Sequence, residues 1–322
     1  MSAAVHDAMT PRSGGYDVLH VEHLRAALYG LQARGVPRIY DAVDCMSRLL
    51  AQAAGDAPTG STRLAARAEL GRTRAFERRL LGAFDRVLVT AATERDALQA
   101  LSAPAQAAAM VTVLGNGVDI EYFAPTATQR DPATVVFIGR MGYHANIAAA
   151  RELLTAIMPR VWARRPEARL RLVGPDPPQS LRSLAAGAAG PVEITGYVPD
   201  IRPALARATV SVSPLRYAVG VQNKVLEAMA MATPVVATPA ACAALGAIHG
   251  EQLLVETDAA SIAAAVMRLF DDPVLAQRLA GAGRRYVTAA HDWRHVAAKL
   301  ELVYRETIDQ VAAHTASGAH PS

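Results

Sequence analysis

The stretch 208–238 constrains the fold more than any other part of the sequence, because its hydrophobic period changes twice. Residues 208–213 alternate with a period of two, as a strand does, and 234–238 form a short β-branched run. Between them apolar residues recur at helical spacing, at Val221, Val225, Met229 and Ala232. The pattern predicts a parallel βαβ unit, whose helix begins beside the carboxyl ends of the strands.

Polar residues at the start of this predicted helix are candidates for a binding site. Three polar residues share one flank of the first two turns, because they are adjacent or lie three or four positions apart: Asn223, Lys224 and Glu227. Free backbone N–H groups at a helix N-terminus favour an anion, and Gly220 permits close approach there. Lys224 is one of only two lysines against 31 arginines (33 basic residues minus 2), which suggests a compact point charge. The alternative is that Lys224 and Glu227 merely form an exposed ion pair.

Alternating strands and helices recur along the whole chain, and 322 residues suggest two domains. The connections are short, which predicts α/β domains built on doubly wound parallel sheets. Ligands of such sheets bind outside the carboxyl ends of the strands. The residues that follow the predicted strands are therefore site candidates: Gly139 and Arg140, Gly174, Tyr197 to Asp200, and Arg216 to Gly220.

Composition excludes several classes of protein. The net charge of +4 and the aromatic fraction of 5% give no basic stacking platform, so we expect no nucleic-acid partner. The two cysteines lack metal spacing, and His20, Glu22 and His23 lack a further ligand, so we expect no metal. The polar start of the chain is not a signal peptide, and prolines interrupt the longest uncharged run, 228–248. These features predict a cytoplasmic protein.

An arginine-rich helix is predicted from Arg63 to Leu81, with two interpretations. Its arginines are accompanied by only two glutamates, Glu69 and Glu77. One interpretation is a surface that contacts anionic lipid, which would place the protein at the inner face of the membrane. The other is a solvated helix face with internal ion pairs.

The run Gly-Val-Gln-Asn-Lys-Val-Leu-Glu-Ala-Met-Ala-Met-Ala-Thr-Pro-Val-Val, residues 220–236, resembles the donor-site segment of family 4 GT-B glycosyltransferases. It is similar in particular to bacterial members associated with exopolysaccharide and exosortase (PEP-CTERM) systems. The resemblance extends over roughly 16–312 and is strongest over 116–236. It implies two Rossmann-like, doubly wound parallel-sheet domains, of which the N-terminal one is incomplete.

The domain boundaries that the resemblance implies divide the chain into five parts. A disordered tail, 1–15, precedes a partial acceptor-side domain, 16–125, and a nucleotide-sugar-binding domain, 126–292. A last helix, 293–313, packs back on the first domain and is followed by a tail, 314–322.

The resemblance also implies the activity and the site residues. We expect a retaining transferase that moves a hexose from a UDP- or GDP-sugar to a glycan or lipid-linked glycan acceptor. We expect it to need no metal and no cofactor, and the absence of a DxD triplet from the sequence agrees with metal-independent chemistry. Arg140 and Lys224 would contact the diphosphate and Glu227 the ribose hydroxyls. The remaining donor contacts would come from Gly139, Gly174, Tyr197, Val198, Gly220, Val221 and Asn223.

Three departures from the family pattern keep other functions open. Val219 stands where many members carry a second glutamate that reads the donor sugar, and Met141 to Asn146 lack the usual basic residue. The additional N-terminal strands and the glycine-rich acceptor loop are missing, so either the start is misassigned or the first domain is truncated. A catalytically impaired nucleotide-sugar-binding scaffold and an epimerase are the alternative functions. Asp44 could face the acceptor or cap a helix.

Overall fold

The computed structural model describes residues 15–33, 35–55, 60–102, 110–218 and 220–316, without the side chains of 52–55, 60–63 and 66. The chain divides into two units. Unit 1 holds the described residues up to Gly115 and those from Val296 on, and unit 2 holds Asn116–His295. The predicted tails, 1–15 and 314–322, lie outside the described residues except for 15 and 314–316.

Unit 1 contains a four-stranded sheet in the order β1-β2-β3-β4, and every pairing is parallel. The strands are β1 Leu19–Glu22, β2 Arg38–Val43, β3 Arg86–Val89 and β4 Met110–Val113. The helices between them are α1 His23–Gly30, α2 Met46–Gly55, α3 Gly60–Leu81 and α4 Ala92–Gln99. The last helix, α13, spans Trp293–Ala316 and adds its residues from Val296 on to this unit.

The two faces of this sheet are covered by different helices, as the alternation along β3 requires. Val87 and Val89 are buried in one cluster with Leu80 of α3. Leu88, between them, belongs to a second cluster with Val303 of α13. Unit 1 is therefore a sheet with helices on both faces.

Unit 2 contains a six-stranded parallel sheet in the order β10-β9-β8-β5-β6-β7. The strands are β5 Thr134–Ile138, β6 Arg169–Val173, β7 Val192–Gly196, β8 Val210–Ser213, β9 Val235–Ala237 and β10 Leu254–Val255. The helices are α5 His144–Glu152, α6 Met158–Trp162, α7 Gln179–Ala186, α8 Arg202–Arg207, α9 Asn223–Ala230, α10 Pro239–Cys242, α11 Ala259–Asp271 and α12 Pro273–Ala290. A π-helical turn, Leu153–Ile157, joins α5 to α6.

The strand order of unit 2 reverses beside β5. The chain proceeds from β5 to β6 and β7 on one side, and then returns to place β8, β9 and β10 on the other. The loops after β5 and β8 therefore diverge at a topological switch point, which is where open parallel sheets bind ligands. Strand β5 is buried along its whole length, so the sheet holds both loops on a rigid base.

The predicted fold class is confirmed, since both units are α/β with parallel sheets. The predicted βαβ unit at 208–238 is present as β8, α9 and β9. The structure begins unit 2 at Asn116, earlier than the predicted boundary before 126. Within the described ranges, no helix is at once long and apolar enough to cross a membrane.

Candidate functional site

Two glycines bring the ends of β5 and β6 into direct backbone contact at the switch point. Gly174 has φ +140, and a Cβ added to it would lie 2.0 Å from the carbonyl oxygen of Gly139. The N–H of Gly139 donates to Val173 at 3.0 Å, and that of Gly174 donates to Gly196 at 3.2 Å. Only a residue without a side chain fits at position 174. These predicted site residues thus have a structural reason to be glycine, and their role in binding remains a prediction.

Lys224 lies in the first turn of α9, where it is half-buried rather than exposed. Its Nζ donates to Oδ1 of Asn146 at 2.5 Å and lies 4.9 Å from the ring centroid of Phe137. Burial lowers the pKa of Lys224 to about 8, although the nearby Glu227 acts to raise it. The ammonium group is therefore held in a low-dielectric pocket by a neutral amide.

Glu227 follows one turn later on α9 and is also half-buried. Burial raises the pKa of Glu227 above its ordinary value, and Lys224 opposes the change. Both charged forms are thus disfavoured by the same desolvation. An exposed, solvated ion pair, the alternative considered from the sequence, does not describe these two residues.

Helix α9 begins after the loop that follows β8. Its N-cap residue, Gln222, makes no side-chain capping bond. Gly220 has φ +62, in the left-handed region that favours glycine, and Val221 is buried. Asn223 is exposed and its Oδ1 accepts from Nδ2 of Asn116 at 3.1 Å. Position 219, where many members of the resembling family carry a second glutamate, lies outside the described residues.

Arg140 follows β5 as predicted, but its side chain points into solvent and is 72% exposed. Its Nε donates to Oδ2 of Asp176, on the loop after β6, at 2.8 Å. The guanidinium of Arg140, which the resemblance assigns to diphosphate binding, is thus bound to a carboxylate of the protein itself. Exposed pairs of this kind contribute little stability, so an anionic ligand could displace Asp176.

The loop after β7 holds the residues expected to meet the nucleotide base. Tyr197 is 76% exposed, and Val198 is half-buried against the core of unit 2. Oδ1 of Asp200 accepts from the backbone N–H of Arg202 at 2.9 Å, and the guanidinium of Arg202 keeps the pKa of Asp200 below its ordinary value. Asp200 therefore stabilises a turn, whereas Tyr197 has an exposed ring.

Sequence reasoning missed the group that links these loops, Asn146. This residue of α5 is buried and joins Lys224 to the backbone of Arg140, whose carbonyl accepts from Nδ2 at 2.9 Å. The only sequence signal is an amide that directly precedes the apolar run 147–150. A second missed feature is the stack of His144 on Tyr217, whose rings are 5.4 Å apart.

Unit 1 contains a separate group of buried carboxylates at the start of α2. The N–H of Cys45 donates to Glu94 of α4 at 2.9 Å, and that of Ser47 donates to Glu77 of α3 at 3.2 Å. These two residues, not Asp44, bind the N-terminus of α2. Burial, with a contribution from Glu94, raises the pKa of Asp44 to about 6. Among the described residues, no three His, Cys, Asp or Glu side chains are placed to hold a metal ion.

Comparison with known proteins gives matches for both parts of the chain. Residues 132–272 match the family model described as glycosyl transferases group 1, and 1–117 match the glycosyl transferase 4-like domain. Glycogen synthase of Mycobacterium tuberculosis is 29% identical over 71% of this chain and 56% of its own length. A phosphatidyl-myo-inositol mannosyltransferase of the same species is 32% identical over 60% of this chain and 53% of its own.

The chain thus spans about half the length of these curated relatives. Among solved structures, Anabaena Alr3699/HepE in complex with UDP and glucose superposes with a TM-score of 0.67 at 18% identity, over 99% of this chain and 81% of that chain. This likeness concerns the fold. With parallel sheets in both units, the chain has the GT-B fold, and each of its two parts matches a glycosyltransferase family model.

Proposed function

We propose that this protein transfers a hexose from a UDP- or GDP-sugar to a glycan or lipid-linked glycan acceptor in bacterial exopolysaccharide assembly. The observation that carries the proposal is the half-buried ammonium of Lys224 at the uncapped N-terminus of α9. Its pKa of about 8 leaves it mostly charged at neutral pH in surroundings that disfavour the charge. A diphosphate bound there would offset that penalty, because it brings further negative charge to the ammonium.

The position of Glu227 favours a nucleotide over inorganic phosphate. Glu227 lies one turn beyond Lys224 on the same flank of α9, so a ligand with its diphosphate at Lys224 would extend its next polar groups, the ribose hydroxyls, toward Glu227. A carboxylate accepts bonds from two neighbouring hydroxyls. Ordering these hydroxyl donors around Glu227 would favour its ionised form, so binding would lower its raised pKa.

The chemistry that these groups support is loss of a diphosphate leaving group. The bond from C1 of the sugar to the diphosphate oxygen breaks, the acceptor oxygen bonds to C1 on the same face, and the acceptor proton passes to the departing diphosphate. Negative charge develops on that diphosphate, beside Lys224 and the N–H groups of α9. Arg140 would add a second cation once the diphosphate displaces Asp176. Fixed cations can carry this step without a metal or a cofactor.

Calorimetric titration of UDP, GDP and ADP tests the donor site. We expect one nucleotide to bind the parent protein, and Lys224→Met or Glu227→Gln to weaken it by about 1.5–3 kcal/mol, or roughly 10- to 150-fold. Lys299→Met is the matched control, since Lys299 is the other lysine of the chain and is exposed on α13. Absence of binding by the folded parent would overturn the proposal. Binding without transfer from the cognate sugar nucleotide to any acceptor glycan would favour the scaffold alternative.

We also propose that helix α3 contacts an anionic membrane surface at the cytoplasmic face. Its described arginines are exposed: Arg67, Arg72, Arg74, Arg78 and Arg79. Glu77, which the ion-pair interpretation needs on the surface, is only 3% exposed and binds the N-terminus of α2. The exposed face from 67 to 79 thus keeps five arginines against Glu69, a charge pattern that fits acidic lipid headgroups.

Sedimentation with vesicles tests this surface. We expect the parent protein to pellet with vesicles containing phosphatidylglycerol at low salt, and to be released by high salt. The double variant R72E/R74E should stay in the supernatant, whereas Arg182→Glu, at an exposed position of α7, should behave as the parent does. Equal binding of R72E/R74E and the parent would show that α3 is not the contact.

A further inference from the structure

Asn146 is placed where the two loops of the switch point meet. It is 7% exposed, and its amide is used at both ends. Nδ2 donates to the carbonyl of Arg140 at 2.9 Å, and Oδ1 accepts from Nζ of Lys224 at 2.5 Å. It thereby connects the loop after β5 with the first turn of α9.

The strand end itself is shaped around this amide. A Cβ added to Gly139 would lie 2.8 Å from Nδ2 of Asn146, which is closer than real Cβ contacts allow. Asn146 therefore packs directly on the backbone that precedes Arg140. Its orientation is fixed by this contact and by two hydrogen bonds, so it cannot rotate without losing both.

Asparagine is suited to this position because it donates and accepts at once. Leucine would leave the Arg140 carbonyl and the Lys224 ammonium without these bonds. Aspartate would face the carbonyl of Arg140 with an oxygen instead of a donor, and would neutralise Lys224. A neutral amide orients the ammonium while leaving its charge available to a ligand.

We infer that Asn146 is a positioning residue for the donor diphosphate, which fixes the ammonium of Lys224 beside the N-terminus of α9 without neutralising it. This inference rests on the proposed function. The charged group that acts on Lys224 is Glu227, on its own helix. The elements packed against it contribute neutral groups, Asn146 from α5 and Phe137 from β5.

The two-lysine composition of the chain allows a direct measurement. Lysine labelled with ¹³C at the ε position gives two side-chain resonances, of which Lys299→Met removes one and identifies the other as Lys224. In the parent protein, the Lys224 resonance should titrate near pH 8. In Asn146→Asp, a carboxylate replaces the amide next to the ammonium, and the midpoint should rise by about one pH unit or more.

Nucleotide affinity gives the second readout. Titration with UDP and GDP from pH 6.5 to 9.5 should show parent affinity falling by up to about tenfold per pH unit above pH 8, because Lys224 loses its charge there. Asn146→Asp should bind roughly tenfold more weakly at pH 7, with the decline beginning at higher pH. Gln277→Glu, an amide-to-carboxylate change at an exposed position of α12, should reproduce the parent profile.

Different results would refute the inference and the proposed function. The same Lys224 midpoint in Asn146→Asp and the parent would overturn the positioning role, as would equal nucleotide affinities at every pH. If the parent binds no nucleotide at any pH, the donor site itself fails, whatever the resonance shows. If the aspartate variant unfolds, Asn146→Ser takes its place, because serine keeps a donor and an acceptor in a side chain too short to hold both partners. Nucleotide affinity equal to that of the parent in the folded serine variant would likewise overturn the positioning role.

Discussion

Replacing Gly174 by alanine tests whether the ends of β5 and β6 really touch. The added Cβ would lie 2.0 Å from the Gly139 carbonyl oxygen, whereas ordinary contacts begin at 3.4 Å. The two backbones would have to separate by roughly 1.4 Å (3.4 minus 2.0), and alanine would have to keep φ near +140. Backbone strain of about 1–3 kcal/mol and overpacking of similar size together predict a loss of about 4 kcal/mol.

Tryptophan fluorescence isolates this effect, because both tryptophans, Trp162 and Trp293, lie in unit 2. Unit 2 has 180 residues (295 − 115), so a loss of about 4 kcal/mol corresponds to a fall in Tm of roughly 8–16 °C. Urea titration followed by fluorescence gives the free energy of unfolding for the variant and the parent. Gly187→Ala is the control, since φ is −93 there and the nearest atom to an added Cβ is 3.8 Å away. A Gly174→Ala variant within about 0.5 kcal/mol of the parent would refute the close approach.

Three further substitutions probe charges in the two units. Asp44→Asn should stabilise unit 1 by about 3 kcal/mol at pH 7, because burial raises the pKa of Asp44 to about 6. The gain should vanish below about pH 3, where the aspartate is protonated in both the folded and the unfolded state, and thermal denaturation followed by circular dichroism from about pH 2.5 to 7 measures it. Arg284→Met should cost unit 2 about 2–4 kcal/mol in urea titrations, since its guanidinium donates at 2.7 Å to three carbonyls; an unchanged urea midpoint would contradict this role. Asp176→Asn should free Arg140 and strengthen nucleotide binding by up to about fivefold in calorimetry, while unchanged affinity would mean that Arg140 does not meet the ligand.

The parts of the fold that the sequence predicted are those with a local hydrophobic period. Strands β8 and β9 and helix α9 form the predicted βαβ unit, because each element carries its own repeat of buried residues. The parallel order follows from the short alternation of strands and helices. The π-helical turn at Leu153–Ile157 could not be predicted, since a hydrophobic period does not reveal one extra residue in a single turn of a helix.

Long-range polar contacts could not be predicted in the same way. Asn146 and Lys224 are 78 positions apart, and Arg140 and Asp176 are 36 apart. A hydrophobic period predicts which side of a helix is buried, but it does not predict which polar groups the side chains of that helix contact. Glu77 illustrates the consequence: its spacing on α3 suited a surface ion pair, and the structure buries it against the backbone of Ser47.

At the start of α9, the stability of unit 2 favours apolar residues, whereas the proposed chemistry requires charged ones. Burial disfavours the charged forms of both Lys224 and Glu227, and the structure supplies Lys224 with an amide instead of a carboxylate as its hydrogen-bond partner. A sequence selected only for stability would place apolar residues here, because replacing buried charges by well-packed hydrophobic groups is often neutral or stabilising. A bound nucleoside diphosphate reverses that balance, since it supplies negative charge to the ammonium and hydroxyl donors to the carboxylate. Burying the two charged groups destabilises the free protein, and a ligand that bears both a diphosphate and a ribose offsets that cost. This difference contributes to the selectivity of the site for such a ligand.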